Sequence, residues 1–183
     1  GFTGQGFGFC AVDGMTLRHT GFANDVVAGS MNGGKIILRL PEHLSRGDFE
    51  NSILGNSCAY GATGGTLYAD GAAGQRLGVR NSGAVIVARR AGKYAFEYMT
   101  AGIGVLLGSC HGVIGAGMTG GKLFLMDEDN SVENKIDKQN VHVEQMKEED
   151  VQQLRVILED FHKETGSKRV CPPLTSFKMV VPN

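Results

Sequence analysis

The sequence predicts an all-β fold: a parallel β-helix wound as a single-stranded solenoid of about 18–19 residues per coil, with a short helical appendage at its C-terminal end. Three observations predict it. Of 28 glycines, 27 fall before Lys122. A short pattern recurs, as MNGGKIIL at 31–38, ATGGTLYA at 62–69 and MTGGKLFL at 118–125, with looser copies at 81–87 (NSGAVIV) and 99–106 (MTAGIGVL). The recurrence is periodic: Gly65, Ala84, Gly102 and Gly121 mark one place in successive copies, at steps of 19, 18 and 19 residues.

Each copy is one coil. The residues after the glycines alternate, with Ile36 and Leu38, Leu67 and Ala69, Val85 and Val87, Leu123 and Leu125 expected to point inward. Eighteen or nineteen residues are too few for a strand plus a crossover helix, but suffice for about three short strands joined by sharp corners. Gly33, Gly34, Gly64, Gly65, Gly83, Gly102, Gly120 and Gly121 are the structural glycines of the repeat. Glycine suits a corner because it takes positive φ without a Cβ penalty, and Asn32, Asn56 and Asn81 are the next best choice. Gly14, 20 residues before Gly34, starts the series. The step from Gly34 to Gly65 is 31 residues, and the polar segment 41–50 (PEHLSRGDFE) reads as the insertion that lengthens it. Roughly six coils at about 4.8 Å each give a rod of about 29 Å.

Near Met126 the composition turns from glycine-rich to charged, dividing the chain into 1–126, the β-helix, and 127–183, the appendage. In the appendage, 127–131 reads as a turn, 140–144 as an extended piece and 177–181 as a last strand or docking arm. The segment at about 148–165 is an amphipathic helix with Val151, Leu154, Ile157, Leu158 and Phe161 as its stripe. Glu148, Glu149 and Asp150 suit its N-terminus, His162 and Lys163 its C-terminus, and Gly166 its stop. That stripe must pack on the solenoid or on a partner chain.

Composition narrows the function. Residues 127–166 hold 12 acids against 5 bases, leaving 7 acids against 13 bases elsewhere. The bases are scattered with few neighbouring aromatics, which argues against nucleic-acid binding. No apolar run approaches the roughly 20 residues of a membrane span. The opening residues lack the basic start and apolar block of a signal peptide, and the chain reads as a fragment or processed form. Cys10, Cys58, Cys110 and Cys171 form no C-x-x-C pair, so small buried thiols in a cytoplasmic protein are expected and metal binding is not.

Nothing local looks like an active site. Gly115, Gly117 and Gly120 spell G-x-G-x-x-G with Asp137 following, but a strand pattern, not a helix, comes next. Cys110 and His111 are adjacent, so on a strand they point to opposite faces. His19, His43, His142 and His162 lack ligand spacing, and Asp25, Asp70 and Glu97 are single acids in different coils. No catalytic, cofactor-binding or metal-binding residue is assigned.

Taken together, YGATGG at 60–65, RNSGA at 80–84, EYMTAG at 97–102 and GAGMTGG at 115–121 resemble the C-terminal GXGXG domain of the glutamate synthase large (alpha) subunit. GQGFG at 4–8, ANDVV at 23–27, the appendage helix and TGS at 165–167 fit the same family, so the resemblance covers nearly the whole chain. It implies a right-handed parallel β-helix. It also implies a parent complex in which a class II amidotransferase (glutaminase) domain releases ammonia from glutamine. An FMN-binding synthase domain with an iron–sulfur cluster then adds that ammonia to 2-oxoglutarate and reduces the product to glutamate. The implied role is a non-catalytic structural spacer, with FMN and the cluster held by partner domains and no cofactor in this chain. Departures at 92–96 (GKYAF), Ala101 and 108–112 (GSCHG) point to a stand-alone homologue, and a homo-oligomer is compatible with it. Two alternatives are a scaffold subunit of a formylmethanofuran dehydrogenase-like complex, and a β-helix enzyme with a groove active site built on Asp70 and Glu97.

Overall fold

A computed structural model describes residues 1–44 and 52–183. Most of the predicted insertion, 45–50, lies outside the described residues. In chain order the elements are β1 (Thr16–Thr20), β2 (Asn32–Arg39), β3 (Ser52–Leu54), β4 (Gly64–Ala73), β5 (Ser82–Ala91), β6 (Ala101–Leu106), β7 (Lys122–Met126), α1 (Val132–Lys135), β8 (Val141–Glu144), α2 (Glu148–Thr165) and β9 (Phe177–Pro182). Strands β1, β2, β4, β5, β6 and β7 stack in parallel, one per coil, as a β-solenoid. One ladder runs Thr16, Lys35, Thr66, Val85, Ile103, Lys122. Its last four steps have the lengths of the sequence repeat, and its first is 19 where the glycines suggested 20.

A coil has three sides, and only two are strand. The first is the ladder just named. At Asp70–Gly71 strand β4 bends, marked by a register shift between Ala69 and Ala72, and its far end pairs with β3 and with the end of β5 to make the second side. The third side corrects the expectation of a third strand. There every second residue has positive φ: Val26, Ala28 and Ser30, then Ser57, Ala59 and Gly61, then Arg76, Gly78 and Arg80, then Tyr94, Phe96 and Tyr98. Its hydrogen bonds alternate in direction along the chain. The N–H groups of Val26 and Ser30 donate to the next coil, at Asn56 O (2.9 Å) and Tyr60 O (2.8 Å). That of Ala28 donates back to Phe7 O at 2.9 Å. Ser57, Ala59 and Gly61 repeat the arrangement one coil on, so the buried backbone is paired without a β-ladder.

The glycine pairs divide their work. Gly121 has φ 86°, the left-handed region expected at a corner. Gly120 does not. It is required because a Cβ there would strike the carbonyl of Thr100 in the coil below. Gly33 and Gly34, and Gly64 and Gly65, divide in the same way, while Gly83 has the close approach and Gly102 the positive φ. Positive φ therefore belongs to Gly34, Gly65, Gly102 and Gly121, and the corner reading of Gly120 and Gly64 is corrected. The three asparagines are corrected too, since none has positive φ. They act through side chains instead. Asn81 bonds the backbone of Gly83 and Ala84, Asn56 Oδ1 accepts from Gln75 N at 2.8 Å, and Asn32 Oδ1 accepts from Thr63 Oγ1 at 2.9 Å.

The interior contains Ile36, Leu38, Leu67, Ala69, Ile86, Ala88, Leu123 and Leu125. In β5 the inward pair is thus Ile86 and Ala88, not Val85 and Val87. A one-residue slip in a strand exchanges its faces, and the true phase is two residues after the glycine position. The outward residues Ile37, Tyr68, Val87, Val105 and Phe124 are buried as well, under α2. Continuous apolar runs such as 36–38 are therefore buried on both faces.

Helix α2 has the predicted bounds and ends at Gly166 in the left-handed conformation, φ 61°. Leu154, Ile157, Leu158 and Phe161 are buried against the first side, whereas Val151 is only partly covered. Charges fix its direction. Lys122 in the last coil reaches Asp150 at 2.6 Å, and Lys35 in the second reaches Asp160 at 2.8 Å. Ten helical residues span about 15 Å, and the four strand steps from β2 to β7 span about 19 Å. The helix therefore lies along the stack and runs against the order of the coils.

The far end of the stack is covered by the chain itself. Strand β9 pairs antiparallel with β7, and β8 with β9. Ile136 bridges to Ile114 of the last coil, and Asn140 Oδ1 accepts from Gly117 N at 2.9 Å, standing where a further coil would present a carbonyl.

Candidate functional site

The residues weighed from sequence as chemistry are dispersed by the fold. Asp70 is buried at the bend of β4 and bound to Arg89 Nε at 2.7 Å. Glu97 lies on the third side, so the two acids of a groove enzyme sit on different sides of the coil. Cys110 is buried while His111 is exposed. The G-x-G-x-x-G segment leads into strand β7, and no helix opens there to receive a phosphate. Among the described residues no three His, Cys, Asp or Glu side chains come together. An iron–sulfur cluster requires converging thiolates, and the described residues of this chain do not fit one. Nor is any described helix long and apolar enough to cross a membrane.

Cys10 is exposed, against the expectation of a buried thiol, whereas burial disfavours the thiolate at the other three cysteines. It pushes Cys58 up to about 12, and it raises Cys110 and Cys171 despite the opposing charges of Lys135 and Arg89 respectively. Protonated thiols are poor nucleophiles and poor metal ligands.

Among the described residues two surface features stand out. The first is a groove of about 900 Å³ between the second side and the C-terminal tail. Arg89 forms its wall and holds the tail, donating from Nη2 to Ser167 Oγ at 3.0 Å and from Nη1 to Val170 O at 3.4 Å. Its guanidinium also lies 5.7 Å from the Phe161 ring centroid, joining tail, helix and solenoid. All three guanidinium nitrogens are thereby engaged inside the molecule, which makes Arg89 a fastening. Lys135 and Asp129, also lining the groove, face each other at 3.8 Å.

The second feature is the third side, which none of the sequence arguments singled out. Tyr60, Tyr94 and Tyr98 are exposed there, and Arg76 stacks over Tyr94 at 5.5 Å from the ring centroid. Arg80 and Tyr98 occupy the positive-φ position that glycine fills at Gly61 and Gly117, and Arg76 and Tyr94 the one that Gly6 fills in the first coil. An L-residue in that conformation costs roughly 1–2 kcal/mol. A usable signal was present: RLGVR at 76–80 and YAFEY at 94–98 fall at the same phase, 18 residues apart. Alignment of the repeats on each other would have shown large side chains concentrated in two adjacent coils.

Comparison with known proteins extends this picture. A family model described as the GXGXG motif matches residues 1–183. The chain is 43% identical over 170 residues to the ferredoxin-dependent glutamate synthase of Antithamnion sp., covering 92% of this chain and 11% of that protein. It is 38% identical over 183 residues to ferredoxin-dependent glutamate synthase 1, chloroplastic/mitochondrial, of Arabidopsis thaliana, covering 100% of this chain and 11% of that protein. It is 37% identical over 171 residues to the NADPH glutamate synthase large chain of Bacillus subtilis (strain 168), covering 92% and 11%. The chain thus spans about a tenth of the length of these relatives.

Proposed function

The chain belongs to the GXGXG family and matches the C-terminal region of glutamate synthase large chains, and from that premise we propose that it is a non-catalytic structural domain or subunit of a glutamate-synthase-type complex. In this reading it spaces a class II glutaminase unit from an FMN-binding synthase unit. The synthase unit carries the iron–sulfur cluster and completes the glutamine-dependent reductive amination of 2-oxoglutarate. The structural glycines keep the coils in contact, and this chain holds neither cofactor. The observation that carries the proposal is a family match running through every coil and the appendage. Physical support comes from the way the fold spends its polar groups. Asp70, Asp150, Asp160 and Glu164 all bind cations of this same chain, fastening helix and tail to the stack.

The names of the relatives favour glutamate synthase over the one-carbon scaffold, and the separation of Asp70 from Glu97 disfavours a groove enzyme. We assign the complex to the cytoplasm or, as the name of the Arabidopsis relative suggests, an organelle. The test is recovery of the full-length native protein from its own lysate, with mass spectrometry of everything covalently or stably joined to it. A glutaminase and an FMN-binding synthase, fused or separate, are the expected companions. One-carbon redox subunits, or glutamate formation by this chain without either unit, would overturn the proposal.

A further inference from the structure

We propose that the third side of the solenoid, centred on Arg76, Arg80, Tyr94 and Tyr98, is the surface by which this domain docks against an acidic face of the remaining glutamate-synthase polypeptide. The inference rests on the functional reading above and names the surface through which the spacing is achieved.

Four observations converge on it. Within the chain α2 covers the first side, and the tail held by Arg89 flanks the second across the groove described above. On the third side Tyr94 and Tyr98 are 40% and 57% exposed, and Tyr94 carries Arg76 over its ring. The backbone beneath is held by hydrogen bonds to both neighbouring coils, Arg76 N to Lys93 O (2.9 Å) and Gly78 N to Cys58 O (2.9 Å) among them. A rigid surface of that kind loses little freedom on binding. Finally, Arg80 and Tyr98 stand at the positive-φ position that Gly61 and Gly117 fill in the flanking coils, where glycine is the relaxed choice. Strain of this sort, once observed, points toward function.

The chemistry specifies the occupant. Arginine and tyrosine are the side chains that most often anchor protein interfaces. Arg76, Arg80 and Lys93 outnumber Glu97 on this patch, so the complementary surface carries carboxylates and presents apolar shelves for two rings. Arg76, already stacked on Tyr94, is poised to pair a carboxylate without reorganising.

The test uses the complete native assembly. A photoreactive p-benzoylphenylalanine is placed at position 98 and, as a control, at position 156 on the exposed face of α2. Irradiation should link position 98 to Asp- and Glu-rich peptides from outside residues 1–183, and position 156 should give at least fivefold less product. In parallel, Arg76→Gly and Arg80→Gly are combined. Relief of strain leaves the melting temperature of this domain unchanged or higher, while modification of Tyr98 in the assembly by a water-soluble tyrosine reagent becomes at least tenfold faster. Cross-links only to a second copy, only to nucleic acid, or to nothing would overturn the proposal, as would glycine variants in which Tyr98 is modified no faster. The composition of the same preparation tests the earlier reading separately. If the glutaminase and FMN units are present and position 98 stays unlinked, only the docking surface is wrong. If those units are absent, the spacer reading itself falls.

Discussion

The first and third sides of each coil satisfy the same buried backbone in two ways. On the first side extended strands pair in register, inward residues fill the interior, and outward residues meet α2. On the third side alternating positive φ turns successive N–H groups toward opposite neighbours, and the outer face stays bare. The first side is stabilised chiefly by side chains, about 1.5–3 kcal/mol for each one fully buried. The third is defined chiefly by backbone, and strained residues are tolerated there because hydrogen bonds to two coils over-determine their conformation. A change of side chain should therefore weigh heavily on one side and lightly on the other, while a change of backbone freedom should do the reverse.

The largest expected effect tests the first half of that contrast. Phe161 is fully buried and packs edge-on against Tyr68, with ring centroids 5.4 Å apart. Phe161→Ala should destabilise by about 3–5 kcal/mol, read from the denaturant midpoint, with α2 melting before the strands. A loss below about 1 kcal/mol would mean that the helix is held by its ion pairs instead. Next comes the contact between coils. Gly120→Val forces Cβ onto Thr100 O, and about 3 kcal/mol should be lost. An unchanged melting temperature would show that the coils can separate there.

The docking of α2 should also depend on pH. Lys122 and Lys147 hold Asp150 below its ordinary value of 3.8, and Arg18 and Lys35 hold Glu164 below 4.5. Burial pushes Asp160 up, but Lys35 and the Tyr68 hydroxyl outweigh it, and the net displacement is downward. Carboxylates lowered on folding contribute stability above their unfolded values and lose it as pH falls through the folded ones. Lys35 is the converse: burial lowers it, Asp160 and Glu164 raise it further, and its contribution fades as pH rises through its folded value above 10.5. Helix protection in hydrogen exchange should thus be flat near neutrality and fall below about pH 4. Loss beginning near pH 6 would implicate a histidine.

The smallest effects probe the third side. Gly61 has φ 62°, and a Cβ there would make only ordinary contact with Ser30 Oγ at 3.9 Å, so Gly61→Ala isolates the backbone effect and should cost roughly 1–2 kcal/mol. Exposed Ser30, with φ 52°, is the opposite experiment. Ser30→Gly should stabilise by up to about 1 kcal/mol once the entropy of glycine is subtracted. If both changes were neutral, the positive-φ side would be softer than its hydrogen bonds suggest.

These cases show why one side was legible and the other was not. Strand residues announce themselves by apolar alternation, and α2 by a stripe with acids before it and Gly166 after it. The third side leaves no such mark, because Val26, Ala28, Tyr94 and Phe96 adopt a conformation that their side chains disfavour. Only the neighbouring coils make it affordable. Asn32, Asn56 and Asn81 were recognised as corner residues, but whether an asparagine acts through its own φ or its side chain depends on what the next coil presents. The same holds for Asp70 and Glu97, which lie in successive coils but on different sides.

From the sequence alone came the period, the parallel solenoid, the place of the glycine pairs, the bounds of α2 and the family. All are repetitive or local, and residues close in the chain suffice to encode them. The tertiary structure alone decided that α2 lies along the stack on the outer face of the strands, and that Gly120 answers to a carbonyl 20 residues back rather than to its own φ. It also decided that Arg89 fastens the tail and that the Arg–Tyr side is left uncovered. Each of these depends on which groups meet across coils, and that is set by stacking, not by any stretch of chain read by itself.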